Sequence, residues 1–168
     1  IKEIHVLKER SIASVGGSKS FINNIQNSYI GNWQRRGKYL IGSLNTINKN
    51  SKGFLVVHLR MTGQFKLITK QTLPCTHTRV RFFGEEDKEL RFIDIRNFGQ
   101  MWYVSSNKSV TETISGIKRL GPEPFSDEFN SCYLEKYLKN KKRSIKSALL
   151  DQETVAGVGN IYADETLF

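Results

Sequence analysis

Cysteine is scarce in this chain: Cys75 and Cys132 stand far apart, and neither lies in a Cys-x-x-Cys pair. Two thiols so placed exclude a zinc finger or a disulfide framework and predict reduced, structural cysteines. Long apolar runs are missing too. None approaches the roughly 20 residues that cross a bilayer, and no charged-then-apolar leader opens the chain. Membrane insertion and export are therefore not expected, and the cytoplasm, at the nucleoid, is the expected location. Acidic side chains are outnumbered, with 16 Asp and Glu against 26 Lys and Arg, so the formal net charge is +10. Such a surplus suits a polyanion, whether DNA, RNA or acidic lipid, and by itself does not choose among them.

Proline is nearly absent as well, and two of the three residues stand together in Gly121-Pro122-Glu123-Pro124. That run forbids helix and marks a boundary. Ahead of it, Ile-His-Val, Tyr-Leu-Ile-Gly-Ser-Leu, Phe-Leu-Val-Val-His-Leu, Phe-Lys-Leu-Ile and Arg-Val-Arg-Phe-Phe are short apolar segments separated by Gly, Asn, Ser and Pro. They predict a sandwich or barrel of strands. Residues 48–53, Asn-Lys-Asn-Ser-Lys-Gly, read as an exposed hairpin loop, and 90–104 reads as continuous strand. Helices are predicted over 18–27, where Phe21, Ile22 and Ile25 share a face, and over 110–118. Beyond the prolines the period turns helical. Ser126 is the expected N-cap, with Asp127 and Glu128 in the first turn and Phe129, Tyr133, Leu134, Tyr137 and Leu138 as the apolar stripe. The 38% hydrophobic content can fill a real core.

The last residues carry the sharpest signal. In Thr154-Val-Ala-Gly-Val-Gly-Asn-Ile-Tyr-Ala-Asp-Glu-Thr-Leu-Phe168, a Gly-x-Gly-Asn turn opens directly into a helix, the arrangement that presents backbone amides and a positive dipole end to phosphate. Gly157 and Gly159 permit tight backbone geometry there, and Asn160 sits at or beside the N-cap. A basic helix with Ile145, Ala148 and Leu149 on one face precedes the turn. Lys142 and Lys146, spaced one helical turn apart, are placed to reach the same nucleic-acid strand.

Helix, turn and helix in this order resemble the helix-two-turn-helix module of the formamidopyrimidine-DNA glycosylase family. The resemblance extends from Trp33 through Gln-Arg-Arg-Gly-Lys-Tyr-Leu, His-Leu-Arg-Met-Thr-Gly, Asp-Ile-Arg-Asn-Phe-Gly and Leu-Gly-Pro-Glu-Pro-Phe-Ser. It implies an α+β fold, with a β-sandwich over 1–120 followed by a helix-two-turn-helix DNA-binding region over 121–168. It also implies a monomer acting on damaged double-stranded DNA in base-excision repair. The complete protein would excise oxidised purines such as 8-oxoguanine and formamidopyrimidines, and would cut the abasic strand as an AP lyase.

Residue by residue, the resemblance implies that Lys38 contacts a phosphate and assists the lyase step. His77 is implied in contact with the DNA backbone, and Gly159 and Asn160 with the phosphate flanking the extruded nucleotide. Met61, Arg96 and Phe98 match the family's inserted trio. Extruding a base leaves a hole in the stack, and apolar or planar side chains placed there offset part of the unstacking cost. Arg96 can face the orphaned partner base with several donors, and Phe98 can wedge between its neighbours.

Some positions depart from the family pattern. Asn97 stands where a second Arg is common, and Arg60 where Gly is common. Nothing near Ile1 resembles the Pro-Glu-Leu-Pro-Glu opening whose terminal proline amine attacks the sugar, and Lys2 cannot replace it. A four-cysteine zinc finger would lie past Phe168. The chain therefore reads as an interior fragment, inactive on its own and without metal or cofactor, while the full-length protein would hold a structural zinc. Two other readings compete: a non-catalytic DNA-binding relative, and a ribosomal or RNA-associated basic protein. The wedge residues argue against the RNA scaffold, where they would have no purpose.

Overall fold

A computed structural model describes residues 1–69, 71–85 and 87–168. The chain divides into two compact units. The first holds Ile1–Arg35 and Tyr39–Val110; the second holds Arg36–Lys38 and Thr111–Phe168. The division falls at Val110, ahead of the proline run, and three residues from the β-rich half join the helical unit. Their membership has a local cause: the Arg36 guanidinium donates to the Leu120 and Gly121 carbonyls at 3.0 and 2.7 Å and to Glu123 at 2.8 Å.

In the first unit, strands β1 (Glu3–Val6), β6 (Thr78–Phe83), β7 (Lys88–Asp94) and β5 (Gly63–Thr69) form one four-stranded sheet in that order. Strands β2 (Tyr29–Arg36), β3 (Tyr39–Asn45), β4 (Ser51–His58) and β8 (Gln100–Ser105) form the other. The sandwich follows from period-two patterning: Phe82, Val80 and Phe92 face Leu44, Leu55, Val57 and Met101 across one apolar core. Helix α1 (Gly17–Ile25) adds Phe21 and Ile25, both fully buried. Each such side chain contributes about 1.5–3 kcal/mol on burial. The start of α1 is capped from a distance, since the Glu9 carboxylate accepts the Ser18 amide at 2.8 Å.

Some sequence expectations change in the first unit. Strand β2 was not legible, because nearly every residue along it is exposed and no alternation marks it. The stretch 90–104 is two strands, β7 and β8, separated by a loop over 95–99 that carries Arg96 and Phe98. Alternating Ile, Arg, Asn and Phe imitates strand there. Asn97 at φ 56° takes the left-handed region instead, which strands do not tolerate and Asn adopts more readily than most.

Glu89 is fully buried within the first sheet beside Arg81 and Arg91, which pair with each other across β6 and β7. Arg81 donates at 2.8 Å through two nitrogens, and Arg91 at 2.6 and 2.9 Å. Burial opposes the Glu89 charge, yet the two guanidinium groups outweigh it and bring the carboxyl down to about 2. Arg91 also reaches the Leu73 and Thr72 carbonyls at 3.0 and 2.8 Å, tethering the segment that leads to His77.

The second unit has helices α2 (Val110–Thr113), α3 (Ser115–Lys118), α4 (Ser131–Leu138), α5 (Ile145–Leu150) and α6 (Asn160–Leu167). The single helix expected over 110–118 is broken at Ile114, whose extended backbone lets its side chain bury. Helix α4 starts later than expected. Ser126 donates its hydroxyl to the Glu123 carbonyl at 2.9 Å, and Asn130 is the N-cap, accepting the Tyr133 amide at 2.9 Å. Ser144 caps α5 by accepting the Ser147 amide at 3.2 Å. Leu149, Val155 and Ala163 then pin α5 to α6. The cysteines, expected to be structural, are free and exposed, so neither packs in a core.

Candidate nucleic-acid interface

In the first unit, Asp94 ends β7 and organises two loops. Its buried carboxylate accepts the Thr62 hydroxyl and, at 2.7 Å, the Gly99 amide. Burial works to raise the Asp94 pKa, but the Thr62 hydroxyl and the amides of Gly99, Phe98 and Arg96 together hold it below its ordinary value. Thr62 passes the connection on, since its hydroxyl oxygen accepts the Arg96 amide at 3.0 Å. One buried anion thus fixes the loop that carries Met61 and the loop that carries Arg96 and Phe98.

Of the expected trio, Met61 and Arg96 come into contact and Met61 and Phe98 line one cleft. Arg96 Nη1 lies 3.1 Å from the Met61 sulfur, and Met61 and Phe98 are 69% and 46% exposed although both are apolar. Exposed large apolar side chains held by a buried polar scaffold are suited to insertion into a partner rather than to packing their own core. Asn97, in the left-handed region, accepts the Ser11 hydroxyl at 3.5 Å. His77 is exposed, and its carbonyl accepts the Asp94 amide at 3.0 Å. Buried Arg79 braces the same region, donating to the carbonyls of Asp94 at 2.8 Å, Thr76 at 3.0 Å and Ile95 at 3.4 Å. Sequence reading missed Arg79. The signal available was an arginine inside an apolar strand, where a charge demands partners.

In the second unit, Lys38 is half-buried, and burial lowers its ammonium pKa. Its turn is held by Glu123, which accepts the Gly37 amide at 2.6 Å. Lys38 and Gly159 are brought together: a Cβ on Gly159 would sit 3.6 Å from the Lys38 nitrogen, an ordinary contact. Gly159 is the extended N-cap of α6, and Asn160 is its first residue. The left-handed conformation lies at Gly157, φ 86°. Gln152, also missed, braces this turn: its amide donates to the Val158 carbonyl at 2.8 Å, and its oxygen accepts the Gly157 amide at 2.9 Å. Gly121 allows the close crossing behind it, where a Cβ would fall 2.3 Å from the Glu153 carbonyl.

Lys142 and Lys146 do not share a helix. Lys142 lies in the loop ahead of α5, whose N-cap is Ser144, so the expected one-turn spacing is replaced by a loop offset. Lys146 is on α5 and pairs with Asp164 of α6 at 2.5 Å. The second unit therefore gathers an exposed amide-bearing helix start, a lysine of lowered pKa and exposed cations, chemistry matched to a phosphate backbone.

Among the described residues no group of three or more His, Cys, Asp and Glu could hold a metal ion, and no helix is long and apolar enough to cross a membrane. Two cysteines in different units do not fit a four-cysteine zinc site.

Comparisons with known proteins agree with both units. The profile described as the formamidopyrimidine-DNA glycosylase N-terminal domain matches residues 1–101, and that described as the formamidopyrimidine-DNA glycosylase H2TH domain matches residues 120–168. The chain is 79% identical to the formamidopyrimidine-DNA glycosylase of Prochlorococcus marinus (strain NATL1A) and 52% identical to that of Parasynechococcus marenigrum (strain WH8102). In both alignments all of this chain is covered, against 60% and 59% of the relatives. Among solved structures, Lactococcus lactis formamidopyrimidine-DNA glycosylase bound non-covalently to DNA containing an AP site is 30% identical with a TM-score of 0.86, covering 99% of this chain and 60% of that one. The same enzyme in complex with Fapy-dG-containing DNA gives 30% and 0.87.

Proposed function

The chain belongs to the formamidopyrimidine-DNA glycosylase family, and from that premise we propose that its two units are the DNA-gripping and base-extruding part of a base-excision repair enzyme. The complete protein excises oxidised purines, 8-oxoguanine and formamidopyrimidines, from damaged duplex DNA and then cuts the abasic strand. The observation that carries this reading is the Met61–Arg96–Phe98 cluster: exposed apolar and planar groups held on one buried carboxylate. Loops held in this way suit the entry of their side chains into a base stack, since less backbone ordering is left to accompany binding.

In this reading His77 meets the backbone near the wedge. Lys142, Lys146, Gly159 and Asn160 hold phosphates around the extruded nucleotide. Lys38 contacts a phosphate of the lesion strand and assists the lyase step. Its burial lowers the ammonium pKa below the ordinary lysine value, which favours the neutral amine more than water would. The nucleophile expected of the family is a terminal proline amine, and no Pro-Glu-Leu-Pro-Glu segment occurs among the 168 residues. These residues thus supply binding and extrusion, and the attacking group comes from the complete protein.

Borohydride trapping tests the reading. The intact natural protein is incubated with duplex DNA holding 8-oxoguanine opposite cytosine, and an imine between amine and sugar is reduced to a stable adduct. A covalent adduct supports the glycosylase and lyase assignment. Intact DNA binding without an adduct would replace it with a non-catalytic DNA-binding module.

A further inference from the structure

Beside the wedge lies an open cleft of about 350 Å3 lined by Arg10, Arg60, Met61, Phe98 and Gln100. Its two arginines come from different elements. Arg10 sits in the 3-10 turn Glu9–Ser11 ahead of α1, with its guanidinium carbon 5.6 Å from the centroid of the Phe98 ring. Arg60 follows β4 and reaches Gln100 Oε1 at 3.4 Å. Both side chains are exposed, and among the described residues neither has a carboxylate partner. Two guanidinium groups at one cleft without an anion of their own are matched to a bridging phosphate, which they can grip in paired hydrogen bonds.

The backbone adds an independent reason. Arg60 has φ 56°, a left-handed conformation that is unfavourable for a residue with a side chain. Glycine would carry no such cost. The fold nevertheless keeps arginine there and steadies it, with the Arg60 amide donating to His58 Nδ1 at 3.0 Å. Strain retained at an exposed turn points to use of the side chain rather than to packing.

We propose that Arg10 and Arg60 form a phosphate clamp that grips the DNA backbone next to the inserted Phe98, with Arg10 also steadying the Phe98 ring by its cation–π contact. The proposal rests on the reading of Met61, Arg96 and Phe98 as a DNA wedge and adds backbone contacts that the wedge does not itself provide.

The test is the salt dependence of DNA binding by the intact natural protein, followed by fluorescence anisotropy with a duplex carrying a tetrahydrofuran abasic-site analogue. Each phosphate contact contributes a slope of about −0.9 in log K against log salt. Arg10→Ala and Arg60→Ala are each expected to weaken binding and flatten the slope, and the double variant to flatten it by about 0.9, the share of the one phosphate they bridge. Arg60→Gly is expected to flatten it as Arg60→Ala does while leaving Tm at or above that of the natural protein, because the strain is relieved. Lys142→Ala is the control on the wider reading. A flattened slope for Lys142→Ala with unchanged slopes for both arginine variants would overturn the clamp and leave the DNA reading standing. Unchanged slopes for all of them would overturn the DNA reading. Inorganic phosphate supplies a further arm: saturable binding that depends on Arg10 and Arg60, with DNA slopes unchanged, would make the cleft a free-anion site and overturn the clamp.

Discussion

Thr62 and Asp94 are joined through the Thr62 hydroxyl, and that one bond couples the Met61 loop to the Arg96 loop, because the same oxygen accepts the Arg96 amide at 3.0 Å. The proposed wedge is therefore preorganised by a group that never needs to touch DNA. Preorganisation of this kind lowers the ordering cost of binding.

Thr62→Val keeps the shape of the side chain and removes the hydroxyl. It leaves an oxygen of buried Asp94 without its donor, at a cost of about 1–3 kcal/mol. Chemical denaturation should show that loss, and 2-aminopurine fluorescence beside the lesion should report reduced base extrusion. A variant with wild-type stability would show that the bond carries no energy.

Glu89 governs acid stability. Its folded pKa, near 2, lies below the usual 4.5, so its contribution is present above the usual value and disappears as pH falls from there through about 2. The first unit should unfold over that window in circular dichroism. Glu89→Gln should be less stable at neutral pH, leaving the buried Arg91 and partly buried Arg81 guanidinium groups without their anion. Its stability should also change less between pH 5 and 2, and an unchanged acid limb would count against this role.

Lys146 is held at 2.5 Å by Asp164, an exposed pair that competes with phosphate for the same ammonium. Asp164→Asn should raise duplex affinity at low salt, and the gain should fade as salt screens both interactions. Equal affinity at every salt concentration would mean that Lys146 does not bind phosphate.

Glu123 holds the turn ahead of Lys38, accepting both the Gly37 amide and the Arg36 guanidinium. Glu123→Ala should loosen that turn. Amide hydrogen exchange at Gly37 should accelerate, and strand cutting by the complete protein should fall more than DNA affinity does. Loss of both in proportion would indicate general unfolding of the second unit instead.

The sandwich was legible because strands such as β4 repeat apolar residues over a turn-bounded segment, and burial follows that pattern. The turn between α5 and α6 was legible from Gly-x-Gly-Asn for a similar reason: the signal is local. Strand β2 left no pattern because it is exposed along most of its length. The start of α4 was expected at Ser126 and lies at Asn130 instead, the Ser126 hydroxyl being engaged by the Glu123 carbonyl. Arg79 and Gln152 escaped notice because their partners are backbone carbonyls and amides, which carry no mark in a residue pattern.

Residue order alone determined the β-rich and helical halves and the excess of basic side chains, since period, charge and motif are properties of neighbouring positions. Tertiary structure alone decided that Asp94 ties the Met61 and Arg96 loops together, that Arg36–Lys38 belong with the helical unit, and that Arg10 lies over Phe98. Those contacts join residues far apart in the chain, and their energies come from burial and hydrogen-bond geometry that exist only once the sheets have closed.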